Sequence, residues 1–352
     1  MATKVTDSTG ALKVVVIGTG QMGRSHLLAY HRHPGYQVVG LVTKDPPNFR
    51  PELRHYEDMT LPDVDSALAL HPDVVSINTY PDTHADYAIA AMTAGAHVFV
   101  EKPLATTVER ARQVVETAKK TNRKLVVGYI LRHHPSWTQF ISRARDLGPP
   151  FVMRMNINQR SSGDAWETHK RIMKTTSPLV DCGVHYVDVM LQITNSRPVQ
   201  VRGIGARVSD EIDADQVNYA HLQLVFEDGS AGWYESGWGP MVSETGNFIR
   251  DVFSPNGSVS IVDNATQGKS ADIGSHMKTA NILLHKVGAE PEMLSMDGEP
   301  DHDALCALEQ EYLYQAIRED RDLTQEMDHA VSSLEIVIAA DASMKENRAI
   351  DL

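Results

Sequence analysis

Residues 13–23 read KVVVIGTGQMG, a run of nearly unbroken Val and Ile that passes straight into Gly18, Gly20 and Gly23 and then into a helical pattern. Few stretches constrain a chain as tightly. The first glycine permits a tight turn, the second lets a pyrophosphate approach the backbone, and the third lets the following helix pack on the strand. The helix start, with Gln21 and Met22, supplies free amides and partial positive charge for phosphates. The expectation is a dinucleotide site at the start of a βαβ unit.

The rest of the first third fits that unit. YQVVGLV (36–42), DVVSINT (73–79), HVFV (97–100) and KLVVGY (124–129) read as strands, alternating with helical patterns at 22–31, 84–94 and 107–119. Strands this continuously apolar are buried on both faces, which predicts a doubly wound parallel sheet. After Arg132 the texture changes. Segments 151–160, 199–209, 216–229, 230–239 and 258–263 read as longer strands, several joined by hairpin signals such as EDGS and SPNGS. The expected fold is α/β, with a second α+β domain built on a large, mostly antiparallel open sheet. That domain should hold one helix near 181–194 between its first two strands, and two closing helices at 303–318 and 329–345. The expected boundary separates 1–134 from 135–352, since Pro135, Gly148, Pro149 and Pro150 punctuate the junction.

The net charge of −13 argues against nucleic acid or an anionic membrane as partner, because both demand clustered Lys and Arg. A small molecule is the better expectation. The first residues, MATKVTDSTGALK, show no apolar leader and no stretch is long enough to span a bilayer, so a cytoplasmic protein is expected. Two cysteines, Cys182 and Cys306, form no disulfide framework, and sixteen histidines lack ligand spacing, so no metal site is expected.

The residue ending the second strand reports on the adenosine ribose. An acid there binds the 2′-hydroxyl of NAD, whereas a small polar residue followed by a base accommodates the 2′-phosphate of NADP. Thr43 and Lys44 lean towards NADP, and Asp45 keeps NAD open. Further on, VFVEKPLATT (98–107) places Glu101, Lys102 and Pro103 at the carboxyl end of a strand, the edge along which open α/β sheets bind ligands. An ammonium there can stabilise alkoxide-like charge, with Glu101 holding it in place. The plain alternative is a surface turn with a solvated ion pair.

At this point the sequence resembles the Gfo/Idh/MocA family, named for glucose-fructose oxidoreductase and inositol dehydrogenase. The resemblance rests on GTGQMG, NTYPDTHADYA (78–88), AGAHVFVEKPLA (94–105), GYILRHHP (128–135) and LVDCGVHYVD (179–188), in family order. It implies a Rossmann domain followed by a mixed domain with a large open sheet. It also implies a pyridine-nucleotide oxidoreductase acting on a sugar, glycoside or cyclitol, assembled as a homo-oligomer, dimer or tetramer, through that sheet. By resemblance Thr79, Tyr80, Pro81 and His84 join the cofactor site, and Tyr129 and Arg132 face the substrate.

On a helix beginning near Asp181, Asp181 and His185 face the same way and Asp188 follows by three, so both carboxylates could reach the imidazole. The resemblance gives the catalytic roles to Lys102, Asp181 and His185: His185 exchanges the hydroxyl proton, Asp181 orients, and Lys102 polarises the oxygen. The plain reading makes Asp181 an N-cap and His185 a satisfied core residue. Cys182 reads as a small buried residue. The run MKTTSPLVD (173–181) replaces the glycine-rich run of many members. Upstream, SSGDAWETHKR (161–171) is expected as a loop, with Trp166 stacking on a sugar ring or packing helix on sheet, and His169 or Lys170 contacting substrate. Two other functions fit the same residues: a glycosidase- or lyase-like enzyme that uses tightly bound NAD transiently, and a non-catalytic nucleotide-binding regulator.

Overall fold

The structure, a computed structural model, describes residues 10–44, 49–243, 248–262, 279 and 281–352. Two compact units form, one of Met1–Gly128 with Asp303–Asp328 and the other of Tyr129–His302 with His329–Leu352.

The first unit runs β1 (Leu12–Ile17), α1 (Gln21–Arg32), β2 (Tyr36–Val42), β3 (Thr60–Leu61), α2 (Val64–Leu68), β4 (Val74–Ile77), α3 (Pro81–Thr93), β5 (His97–Val100), α4 (Val108–Thr121) and β6 (Leu125–Val127). All six strands are parallel, in the order β3-β2-β1-β4-β5-β6. The winding reverses between β1 and β4, so the loops after these two strands flank the point where such sheets bind nucleotides. Val14, Val15, Val16, Val74, Val75 and Ile77 have no more than trace exposure, as two-sided burial requires.

The second unit runs α5 (Pro135–Leu147), β7 (Val152–Arg160), α6 (Asp164–Met173), α7 (Pro178–Thr194), β8 (Pro198–Ala206), β9 (Tyr219–Phe226), β10 (Ala231–Gly239), β11 (Arg250–Ser254), β12 (Gly257–Val262), β13 (Asn281–Lys286) and β14 (Glu292–Ser295). The chain ends with α8 (His302–Arg318), α9 (Thr324–Glu346) and β15 (Ile350–Asp351). The nine strands lie in the order β14-β13-β12-β11-β7-β10-β9-β8-β15, antiparallel except where β7 meets β10. One face packs against α7, where Tyr186 stacks on Tyr234 with centroids 4.8 Å apart.

Three expectations change. Residues 303–328 pack with the first unit, because Leu313, Ala316 and Leu323 complete an apolar cluster with Leu27, Tyr30 and Tyr36. Segment 161–171 is mostly helix rather than loop. Its first turn carries Asp164 and Glu167 and its last turn Lys170 and Arg171, the charge order that suits a helix dipole. The second helix of that region begins three residues before Asp181, capped by Ser177, whose Oγ accepts from the Val180 amide. Asp181 is therefore not the N-cap. Among the described residues no helix is long and apolar enough to cross a membrane.

Candidate active site

The glycine turn has the shape its spacing predicts. Gly18 adopts φ +86°, and a Cβ there would stand 2.5 Å from the Asn78 carbonyl oxygen. A Cβ on Gly23 would stand 1.9 Å from the Gly18 oxygen, so α1 can approach β1 only through a glycine. Gly20 differs, since among the described residues a Cβ there would meet nothing within 4 Å. Its backbone borders open space at the start of α1, where no side chain caps the helix and no acid occupies the first turn. Gly18 N–H donates to the Val42 carbonyl and Asn78 N–H to the Ile17 carbonyl, each at 2.8 Å, which ties the start of the turn to the ends of β2 and β4. Thr19 Oγ1 donates to Thr43 Oγ1 at 2.8 Å. Lys44 is exposed beside it, and Asp45 lies outside the described residues. The donor set and the open cradle fit a dinucleotide pyrophosphate.

Thr79, Tyr80 and Pro81 form the entry to α3, on the other side of the switch point. Tyr80 is 74% exposed and Pro81 takes the first helical position. The Thr79 and Thr83 hydroxyls share a hydrogen bond of 2.6 Å. His84 is buried, with Nδ1 2.8 Å from the Pro103 carbonyl and Nε2 3.0 Å from the Thr79 carbonyl. It thus joins the α3 entry loop to the lysine turn. Burial pushes the His84 pKa down, and the carbonyls at Pro103 and Thr79 pull against that shift.

Glu101, Lys102 and Pro103 follow β5, with a cis Lys102–Pro103 peptide bond. Glu101 is 7% exposed; its Oε1 faces His26 Nε2 at 2.9 Å and its Oε2 accepts from the Lys102 amide at 3.2 Å. Burial alone would raise the Glu101 pKa. Hydrogen bonding to His26 and the charge of Lys102 overcome it, so the net direction is down. This is no solvated surface pair. Gly128 makes room for the carboxylate, since a Cβ there would stand 3.2 Å from Oε2.

In the second unit, Asp181 and His185 are each part-exposed on α7, while Val184, Tyr186 and Val187 beside them are buried. The i, i+4 spacing sets both on one face. The Tyr129 ring meets the His185 ring edge-on, centroids 5.6 Å apart. Its hydroxyl bonds Ser333 Oγ at 2.8 Å, and the residue is 2% exposed. Asp188 does not serve the imidazole. Its Oδ2 accepts from Arg132 Nε at 2.8 Å and from Gln192 Nε2 at 2.9 Å, and its Oδ1 from Arg132 Nη2 at 2.6 Å. Arg132 and Tyr129, expected to face substrate, brace the helix that carries His185.

Around that helix, Trp166 is 4% exposed and packs with Met173, Ile212 and Trp238. Its Nε1 donates to Glu211 at 3.0 Å, which favours the packing role over a sugar platform. Lys170 pairs with Glu167 at 2.8 Å and Glu211 at 3.1 Å. His169 stacks on Trp238, 4.3 Å between centroids and 10° from parallel, with Nδ1 2.9 Å from Ser161 Oγ. Burial pushes its pKa down to about 4 against the opposing pull of Asp181. Gln159 was missed by sequence: its Oε1 accepts from Trp238 Nε1 at 2.7 Å and, weakly, from the Cys182 thiol at 3.8 Å. The strand alternation of β7 is the signal that could have found it.

Residues 12–129 match the family model described as an oxidoreductase family with an NAD-binding Rossmann fold, and residues 140–247 match the Gfo/Idh/MocA C-terminal domain. The chain belongs to the Gfo/Idh/MocA family. Within it, the sequence is 29% identical over 203 residues to UDP-N-acetylglucosamine 3-dehydrogenase of Acidithiobacillus ferrooxidans, covering 57% of this chain and 61% of that protein. It is 27% identical over 322 residues to D-glucoside 3-dehydrogenase of Escherichia coli K12, covering 82% and 91%. The chain spans about three fifths of the length of the first relatives it matches. The fold is shared with a solved myo-inositol 2-dehydrogenase from Lactobacillus plantarum at a TM-score of 0.79 and 19% identity, over 97% of this chain and 99% of that one. This Gfo/Idh/MocA chain thus carries the family's Rossmann sheet and its mixed second sheet.

Proposed function

We propose that this protein is a nicotinamide-dependent dehydrogenase or reductase of an uncharged sugar, glycoside or cyclitol. The observation that carries the reading is the lysine turn. A buried, ionised Glu101 and a buried His84 hold Glu101-Lys102-Pro103 from two sides, which is a construction suited to an ammonium with a fixed task. When bound, the nucleotide accepts or donates the hydride. Gly18, Gly20, Gly23 and the first turn of α1, with Gln21 and Met22, hold its pyrophosphate. Thr43 and Lys44 support a preference for NADP.

Lys102 polarises the reacting oxygen and stabilises negative charge as it develops. His185 takes the hydroxyl proton in oxidation and returns it in reduction, with Asp181 orienting on the same helix face. The relatives' names, a sugar-nucleotide dehydrogenase, a glucoside dehydrogenase and inositol dehydrogenases, support polyol chemistry.

Self-association through the second sheet belongs to the same reading. Phe253, Val152, Ala231 and Val225 pair in register across β11, β7, β10 and β9 and form an exposed apolar row.

The test is a panel of sugars, inositols and glycosides with NAD and NADP in parallel, read by absorbance of the reduced nicotinamide. Turnover in the parent, with loss in Lys102→Ala and His185→Ala at retained nucleotide affinity, is the expected result. Full activity in either variant removes its assigned role, and inactivity of the parent across the panel removes the reading.

A further inference from the structure

Behind the lysine turn lies a chain of buried hydrogen bonds that begins on α8, more than two hundred residues away in sequence. Tyr30 OH donates to Gln310 Oε1 at 2.6 Å, and Gln310 Nε2 stands 2.9 Å from His26 Nδ1. His26 Nε2 stands 2.9 Å from Glu101 Oε1, and Glu101 Oε2 accepts from the Lys102 amide. Tyr30, His26 and Gln310 are at most 1% exposed, so no solvent competes for these partners.

Donor and acceptor order follows from the ends. With Oε1 accepting the tyrosine proton, the Gln310 amide points its N–H at His26, so Nδ1 must accept. The ring proton then sits on Nε2, where it can donate to the carboxylate. The opposite tautomer would set two N–H groups against each other at Gln310 and a lone pair against a carboxylate at Glu101. Neither ring nitrogen retains a lone pair for a metal ion, although ligand atoms of Cys306 and Glu309 lie within 4.8 Å of His26. Burial and the Glu101 charge both push the Glu309 pKa up, which disfavours a second charge beside Glu101.

We propose that His26 and Gln310 are positioning residues for Lys102: the Gln310 amide fixes His26 as the Nε2–H tautomer, and that N–H holds Glu101 against the Lys102 backbone. The proposal rests on the role given to Lys102 above. A turn so held keeps the ammonium where charge develops, and misplacement of about 1 Å costs on the order of a hundredfold in rate. α8 is thereby part of the site's support rather than packing alone.

Nitrogen NMR of the parent labelled at histidine, with His26 identified by the signal lost in His26→Gln, reads the tautomer directly. A protonated Nε2 and an unprotonated Nδ1 are expected. Gln310→Met, which keeps the volume and removes the donor, should lower kcat on the order of 10- to 100-fold while KM and nucleotide Kd stay within about twofold. A protonated Nδ1 in the parent, or parental kcat in Gln310→Met, overturns the proposal. A parent that turns over no polyol fails the proposed activity instead, and the spectrum still decides the hydrogen-bond order.

Discussion

Arg132 holds Asp188 through two parallel hydrogen bonds, Nε to Oδ2 at 2.8 Å and Nη2 to Oδ1 at 2.6 Å, with the aspartate 1% exposed. Both residues sit in sequence patterns that pointed to chemistry, and the pairing gives each of them a structural task. The carboxylate that sequence spacing offered to His185 is saturated by a guanidinium and the Gln192 amide. The Tyr129 ring meets the imidazole edge-on.

Removing one partner of this pair should be far worse than removing both. Asp188→Ala takes the carboxylate from a mostly buried guanidinium and is expected to destabilise the second unit by about 3–5 kcal/mol at most. The double variant Arg132→Met/Asp188→Leu should recover most of that loss. All four tryptophans, Trp137, Trp166, Trp233 and Trp238, lie in the second unit, so their fluorescence in a urea titration reports on that unit. Equal destabilisation by the single and double variants would contradict the pairing argument.

Gly20→Ala separates folding from nucleotide binding. Among the described residues the added Cβ meets nothing within 4 Å, so the nucleotide-free variant should melt within about 1 °C of the parent, a change that corresponds to a few tenths of a kcal/mol. The pyrophosphate is expected to approach that same face, so nucleotide Kd should rise about tenfold or more. Gly23→Ala, with its Cβ 1.9 Å from the Gly18 oxygen, should lose both stability and binding. Isothermal titration with NAD and NADP checks the set, and unchanged affinity in Gly20→Ala would move the pyrophosphate elsewhere.

Much of the fold and part of the site could be read from sequence, and the division has a physical basis. The glycine turn was legible because each glycine answers a local steric demand. The strands of the first sheet were legible because two-sided burial leaves almost no polar residue in them. What escaped was long-range. Nothing local in the SHL stretch of α1 shows that His26 faces Glu101, and the clue on α8, Glu309 and Gln310 within an apolar face, lies far downstream. For Trp166 and His169 the SSGD run reads as turn and predicts a loop, while the helix beyond it is held by charge order and packing against Trp238. The pairing of Arg132 with Asp188 escaped for a related reason. Their types and spacing suit catalysis, and only tertiary packing shows that they satisfy each other.

Glu309 is expected to make the first unit less stable as pH rises. It is buried, and among the described residues neither of its oxygens has a hydrogen-bond partner. Its pKa is raised well above 4.5, by burial first and the Glu101 charge second. A raised acid pKa gives stability that is full below the unfolded value and declines as pH climbs towards the folded one. Glu309→Met should therefore be more stable than the parent near pH 5 by about 1–3 kcal/mol. The gap should widen above pH 5 by at most about 1.4 kcal/mol per pH unit. Calorimetry from pH 5 to 8 measures it, and a gap that stays constant with pH would show a Glu309 that ionises freely.

His169 should be neutral throughout the working range, and this bears on the substrate. Burial lowers its pKa from 6.5 to about 4, with Asp181 pulling the other way. A lowered histidine pKa gives stability that is complete above 6.5 and is lost as pH falls through about 4. The tryptophan-reported stability of the second unit should accordingly drop between those values, by at most roughly 3 kcal/mol from this residue, and the drop should shrink in His169→Gln. A neutral imidazole stacked on Trp238 can exchange one hydrogen bond with a hydroxyl but offers no charge to a carboxylate or phosphate. Uncharged polyols should therefore be turned over in preference to sugar acids or sugar phosphates of the same ring. A proton NMR titration of His169 tests the premise. A midpoint near the ordinary value would make the ring cationic through part of the physiological range and shift the expectation towards anionic sugars.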